Sequence, residues 1–195
     1  MSDPLLPQDD GNTPLGDAER EGLKLSYVTT RGDLNAAEQQ NILKAQNWAA
    51  RRKNDVLNRD YLNDLHKRMF GDVWTWAGTC RTTGKNIGVD AYRIQTDLQE
   101  LLDNVNYWIE HETYPPDEIA ARFHHQLVYI HPYPNGNGRH ARLATDILLK
   151  KMGAKPFTWG RANLNDAGEA RRTYLDALRA ADGHDIGMLL AFLRS

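Results

Sequence analysis

The sequence predicts a mainly α-helical bundle carrying one small β-hairpin, and three observations predict it. Apolar residues recur at helical spacing in most segments between residues 35 and 193. Those segments are closed by Gly, Pro or capping residues at helix-length intervals. One stretch differs: residues 71–93 hold the strand formers Trp74, Trp76, Thr79, Thr82, Thr83, Ile87 and Val89, with Gly84-Lys85-Asn86 to turn the chain.

Each element has its own local reason. Residues 1–12 are polar, with Pro and Gly, and predict a flexible arm. Thr13-Pro14 supplies a capping hydroxyl and a first-turn proline for a short charged helix ending at Glu21, before Gly22. Leu15 and Leu23 would pin that helix. Asn35-Ala-Ala-Glu38 reads as a capping box opening a helix to about Asn54, with Ile42, Leu43, Ala45, Gln46 and Trp48 as its core face. Arg51-Arg52-Lys53 is its solvated end. Tyr61, Leu62, Leu65 and Met69 predict a helix over 59–70, in which His66 has a structural place. Thr96-Asp-Leu-Gln99 caps a helix to about Glu112 with Leu98, Leu101, Leu102, Val105 and Trp108 inward. Pro115-Pro116 precedes a helix over 117–130, and Ile119, Ala120, Phe123, Leu127 and Ile130 make it the central buried element. A further helix starts near Gly138 with Leu143, Ile147 and Leu148 as its stripe; Gly153 and Pro156 end it, and helices over 165–181 and 185–193 close the chain.

Composition narrows the classes. A chain of 195 residues, 41% hydrophobic and 26% charged, suits a single globular domain. A net charge of −2 offers no bulk attraction to nucleic acid or to an anionic membrane, and neither is expected as a partner. The acidic N-terminus lacks the basic and apolar regions of a signal peptide, and no apolar run approaches a membrane span. Cys80 is the single cysteine, so no internal disulfide can form and a reducing, cytoplasmic setting is expected. His124 and His125 lie two turns before His131 but match no zinc spacing, and are read as supporting either the fold or the immediate surroundings of His131.

The chemistry concentrates in residues 130–142, Ile-His-Pro-Tyr-Pro-Asn-Gly-Asn-Gly-Arg-His-Ala-Arg. Pro132 disfavours helical geometry at His131, so the preceding helix must stop there. Pro134, Gly136 and Gly138 predict a tight irregular loop that feeds a second helix. Such a helix N-terminus points unpaired N–H groups outward and favours an anion. Arg139 and Arg142 share one helical face just past the loop, and guanidinium forks suit phosphate oxygens. His131 beside them can take a proton near neutral pH. The pattern points to phosphate binding with a base alongside.

On these residues the sequence resembles the Fic family, whose signature is His-Pro-Phe-x-(Asp/Glu)-Gly-Asn-Gly-Arg-x-x-Arg. In appearance it is closest to the bacterial branch named mobile mystery protein B. Two positions depart from the signature: Tyr133 stands for Phe, and Asn135 for the acidic residue. The resemblance implies a Fic-type helical bundle over residues 35–195, preceded over 1–34 by the arm and an inhibitory-type helix. It implies a protein adenylyltransferase moving AMP from ATP to a Ser, Thr or Tyr hydroxyl, with Mg²⁺ or Mn²⁺. His131 would be the base, Gly136, Asn137 and Gly138 the phosphate nest, Arg139 the partner of the leaving pyrophosphate and Arg142 the γ-phosphate ligand. Asn135 would be a poor metal ligand. Arg81, Thr82, Thr83, Gly84, Lys85, Asn86 and Ile87 would form the flap that docks a target segment by strand addition. Asp17-Ala-Glu-Arg-Glu21-Gly22 resembles the family's inhibitory helix, with Glu21 pairing with Arg142. Asn135 keeps two alternatives open, a Doc-like phosphotransferase and a non-catalytic nucleotide-binding regulatory module. The resemblance also leaves room for a protein antitoxin or other regulatory partner and for a homo-oligomer; the target protein is not readable.

Overall fold

A computed structural model describes residues 13–51, 55–161, 164 and 168–195. The expected arm at 1–12, the expected end of the second helix at 52–54 and the expected start of the helix at 165 lie outside the described residues.

Eight α-helices follow one another among the described residues: α1 Asp17–Arg20, α2 Arg31–Ala50, α3 Arg59–Phe70, α4 Ile94–Glu110, α5 Pro116–Ile130, α6 Asn137–Lys151, α7 Glu169–Asp182 and α8 Gly187–Arg194. Their starts show why. Asn58 caps α3 by accepting from the N–H groups of Asp60 and Tyr61, and Pro116 stands in the first turn of α5. In α2 the cap is Thr30, whose hydroxyl accepts from Asp33 N while Asp33 bonds back to Thr30 N. The helix therefore begins a turn before the expected Asn35, and the boundary drawn between residues 34 and 35 falls inside it.

The apolar stripes meet in two cores. Leu62, Leu65, Met69 and Phe70 of α3 pack with Leu98, Leu102 and Val105 of α4, Phe123, Leu127 and Ile130 of α5 and Ala144 and Leu148 of α6. A second core joins Ala120 and Ala121 of α5 and Leu149 of α6 to Tyr174, Leu178, Leu189 and Leu193 of α7 and α8. The pair α5 and α6 is thus buried from both sides, and the loop between them is anchored at both ends in packed core. No helix among the described residues is long and apolar enough to cross a membrane.

Two expectations are corrected here. Thr13 does not cap α1, which starts from Gly16. The β-hairpin is not formed either: the only β pairing among the described residues is an isolated antiparallel bridge between Leu23 and Trp74. The arms of the supposed hairpin are joined instead by one side chain, since the Arg81 guanidinium donates to the carbonyls of both Thr83 and Val89. Residues 81–89 are a loop strapped from within. The Leu23–Trp74 bridge has another use. Lys24 N donates to Val73 O and Thr75 N to Gly22 O, each at 2.8 Å, which sews the N-terminal segment to the bundle.

Candidate active site

His131 is where Pro132 requires the helix to stop, and it adopts a left-handed backbone, φ 54° and ψ 60°. That conformation costs a residue with a Cβ about 1–2 kcal/mol, so neighbours must hold it. Arg81 does so. Its N–H donates to Pro132 O at 2.9 Å and its Nε to His131 O at 2.7 Å, and its Nη2 reaches Ile130 O at 3.4 Å. Arg81 was expected to face a target from the flap, but its side chain is buried and faces His131. Gly88 completes the lid: at φ +95°, a Cβ there would lie 2.5 Å from His131 Cβ.

The loop after His131 is clamped at every turn. Tyr133 is fully buried and stacks on His66, ring centres 3.7 Å apart. The Asn137 amide accepts from Tyr133 N and donates to Tyr133 O at 2.9 and 2.8 Å, so it shapes the loop rather than facing outward. Gly78 N donates to His66 Nδ1, which leaves the proton on Nε2 to donate to Asn135 O at 3.0 Å. Burial holds His66 well below its ordinary pKa, which suits this neutral tautomer. The residue that must be glycine for the turn is Gly136, at φ +78° with the Phe70 ring 2.6 Å from where a Cβ would sit. Gly138 is different. A Cβ there would meet only Arg142 Nη1, at 3.8 Å, so its missing side chain keeps space open in front of the helix.

That space is electropositive. Asn137, Gly138 and Arg139 form the first turn of α6, whose N–H groups have no acceptor within the helix. Arg142 Nη1 lies beside Gly138, and Tyr174 of α7 hydrogen-bonds its guanidinium. Burial, followed by repulsion from Arg139 and Arg171, holds Arg142 below its ordinary pKa. An arriving anion would relieve that repulsion. Arg139 lies over the Phe70 ring at 4.8 Å, with Nη2 3.5 Å from Asn135 Oδ1. Its Nη1 pairs with Glu38 at 2.5 Å, and Glu38 also accepts from Trp74 Nε1 at 2.7 Å. Glu38 had been read as part of an N-terminal capping box; it lies inside α2, 3% exposed, facing this site.

Asn135 does not fit a protein-held metal. Its Oδ1 accepts from Gly136 N at 2.7 Å and its Nδ2 donates to Thr13 O at 3.3 Å, so the amide is spent on the loop and the N-terminal segment. Among the described residues no group of three or more His, Cys, Asp or Glu side chains could hold an ion. His124 and His125 bond instead to Tyr174 and Asp182, as fold-supporting residues would.

The N-terminal segment covers His131. Thr13 Oγ1 lies 2.7 Å from His131 Nε2, and the imidazole is 5% exposed. Lys85 of the flap donates to Pro14 O at 3.0 Å and pairs with Glu19, to which Thr83 Oγ1 also reaches. Thr82, Gly84, Asn86 and Ile87 remain on the exposed rim. Glu21, the carboxylate expected to pair with Arg142, is exposed at the end of α1, and no ion pair joins the two among the described residues. One turn of helix cannot present Glu19 and Glu21 to the same side, and Trp76 Nε1, donating to Glu19 O at 2.9 Å, turns the Glu19 side inward. Burial, with the positive charges of Arg81 and Lys85, pulls His131 down to about 3, opposed by the Val128 carbonyl. At neutral pH it is an uncharged acceptor. Sequence reasoning missed Thr13, Glu19 and Glu38 at this site; each sits in a local pattern that reads as helix capping or surface charge.

Comparison with known proteins points to one family. Residues 56–149 match the sequence model of the Fic/DOC family. The chain is 30% identical over 155 residues to a protein adenylyltransferase Fic of Nematostella vectensis, covering 77% of this chain and 35% of that one. It is 31% identical over 151 residues to the protein adenylyltransferase fic-1 of Caenorhabditis elegans, covering 73% and 27%. The chain therefore spans about a third of the length of these curated relatives. The fold resembles the N-terminal Fic domain of a Bartonella effector protein from Bartonella sp. AR 15-3, with TM-score 0.69 at 20% identity over 88% of this chain and 84% of that one. It also resembles BepC of Bartonella tribocorum, a structure with bound AMPPNP, with TM-score 0.67 at 16% identity over 92% and 97%.

Proposed function

Because this chain belongs to the Fic/DOC family through residues 56–149, we propose that it is a protein adenylyltransferase, moving AMP from ATP to a hydroxyl of a protein. One observation carries the reading: a single threonine, Thr13, touches both the base and the phosphate loop. Its hydroxyl is 2.7 Å from His131 Nε2 and its carbonyl 3.3 Å from the Asn135 amide. A hydroxyl in that place is beside the N-terminus of α6, where a nucleotide's phosphates would lie.

In this reading His131 takes the proton of the attacking hydroxyl. The negative phosphates raise its proton affinity from the low value it has under the N-terminal cover. The N–H groups of Gly136, Asn137 and Gly138 receive the phosphates, Arg139 neutralises the departing pyrophosphate, and Arg142 holds the terminal phosphate. A positioned base supplies roughly a hundred- to ten-thousand-fold; orientation and charge neutralisation supply the rest. A target segment would lie along the exposed rim at Thr82–Ile87, main chain to main chain. The N-terminal segment closes the site through Thr13 and through the Glu19–Lys85 pair. The spent Asn135 amide is the observation that favours the rival reading, a nucleotide-binding module without transfer.

The test incubates the protein and lysate with ATP labelled on the α- or the γ-phosphate, with Mg²⁺ or Mn²⁺ as the nucleotide's counter-ion. The expected result is α-label on protein, lost in His131→Ala. ATP binding with neither label transferred establishes the module, and γ-label establishes a phosphotransferase.

A further inference from the structure

Tyr174 is packed in the second core with the His124 ring beside it, but the polar atoms of both lead back to Arg142. The Arg142 guanidinium has only donors, so the Tyr174 oxygen accepts from it. The Tyr174 O–H is then left to donate to His124 Nε2, 2.8 Å away, which puts the ring proton on Nδ1. His124 Nδ1 lies 3.4 Å from Thr145 Oγ1, and that hydroxyl donates to Ala141 O at 2.7 Å. The bonds begin at the side chain of Arg142 and end on the carbonyl of the residue before it, so the circuit closes on one turn of α6. Each link runs in one direction, and Tyr174, His124 and Thr145 are all buried. Burial pushes Tyr174 up to about 12 and His124 down to about 3, so both stay neutral and take no charge from the guanidinium. Arg139 is held differently, by the charge of Glu38. What a neutral acceptor fixes is where the planar fork points.

We propose that Tyr174, braced by His124, is the positioning residue of Arg142: it aims the guanidinium at the terminal phosphate and so makes the site prefer a nucleoside triphosphate to a diphosphate. The inference rests on the nucleotide site proposed above, though not on the transfer step. Arg142 Nη1 stands beside Gly138, at the edge of the space in front of α6. A guanidinium held there in one direction is ready for a phosphate oxygen. One that swings must first be ordered, and the cost of ordering falls on the ligand. Only a triphosphate reaches Arg142 with its last phosphate, so a diphosphate neither gains from the bracing nor loses when it is removed. Tyr174 lies on α7, beyond the residues 56–149 that match the family, whereas His124 lies within them. The C-terminal helices therefore contribute to the choice of nucleotide without touching it.

The experiment measures ATP and ADP binding to the full chain by calorimetry with Mg²⁺, on the wild type, Tyr174→Phe, His124→Phe, His124→Gln, Arg142→Ala and the double variant Arg142→Ala/Tyr174→Phe. The wild type should bind ATP more tightly than ADP. Tyr174→Phe keeps the buried ring and loses only the hydroxyl; its ADP affinity should hold while its preference for ATP falls roughly five- to tenfold, the worth of one hydrogen bond. His124→Phe should show the same fall, and His124→Gln, whose amide oxygen accepts from Tyr174, should keep the wild-type preference. In Arg142→Ala, the further change Tyr174→Phe should have no effect on the preference. A wild type indifferent between ATP and ADP, an unchanged preference in Tyr174→Phe, an equal loss of both affinities, or an effect that persists without Arg142 overturns the inference. These readings need no turnover. The expected binding pattern without α-label on any protein overturns the transferase reading alone, α-label with an unchanged preference in Tyr174→Phe overturns the inference alone, and a wild type that binds neither nucleotide overturns both.

Discussion

The Glu38→Gln variant separates the structural role of Arg139 from its proposed role at the phosphates. Glu38 is 3% exposed and meets Arg139 Nη1 at 2.5 Å and Trp74 Nε1 at 2.7 Å. The amide has the same shape but one acceptor fewer, so either Arg139 or Trp74 faces an N–H group and the guanidinium loses its counter-charge. Breaking a fully buried pair costs about 3–5 kcal/mol. Arg139 is 18% exposed and keeps its seat over Phe70, so about 2–3 kcal/mol is expected. For a chain of this size that lowers the melting temperature by about 4–12 °C. ATP should return part of the loss, because the phosphates replace the missing carboxylate at Arg139. The ATP-induced stabilisation should exceed the wild type's by about 1–2 kcal/mol, close to tenfold in Kd. Differential scanning fluorimetry across an ATP series reads both effects. If ATP stabilises Glu38→Gln no more than the wild type, Arg139 does not face the phosphates and the layout of the site is wrong.

Two further outcomes follow from the same geometry. Gly138→Ala should fold normally and gain up to about 1 kcal/mol, since a Cβ there meets only Arg142 Nη1 at 3.8 Å and alanine favours the helix, whereas its ATP affinity should fall tenfold or more; unchanged affinity by calorimetry would show that no phosphate comes near. Acid should destabilise the fold: burial lowers His124 and His131 to about 3 and His140 to about 4 from an ordinary 6.5, so stability is unaffected by these rings above pH 6.5 and is lost progressively as pH falls from 6.5 toward 3. Each costs about 2 kcal/mol at pH 5, and Asp146, raised to about 6 by burial, returns about 1 kcal/mol over the same range. A melting temperature that is flat between pH 7.5 and 5 would contradict the burial of these rings.

What could be read from the sequence was what neighbours along the chain decide. Helix α3 lies over Arg59–Phe70 as its apolar spacing requires, and α5 ends at Ile130 because Pro132 forbids another turn at His131. The glycine loop feeding α6 was legible for the same reason, since backbone conformation is set within a few residues. Thr13, Glu38 and Arg81 were not, because their meaning lies in partners 118, 101 and 50 residues away. Locally a threonine before proline caps a helix, a glutamate three residues after Asn35 closes a capping box, and Thr-rich arms flanking a Gly-Lys-Asn turn make a hairpin. Packing overrode each preference. His131 needed a clamp for its left-handed backbone, and Arg81 supplied it at the expense of the hairpin. The partly buried guanidinium of Arg139 needed a counter-charge, which drew Glu38 inward. A hydroxyl could reach the imidazole only after the bundle had folded and the Leu23–Trp74 bridge had laid the N-terminal segment across it.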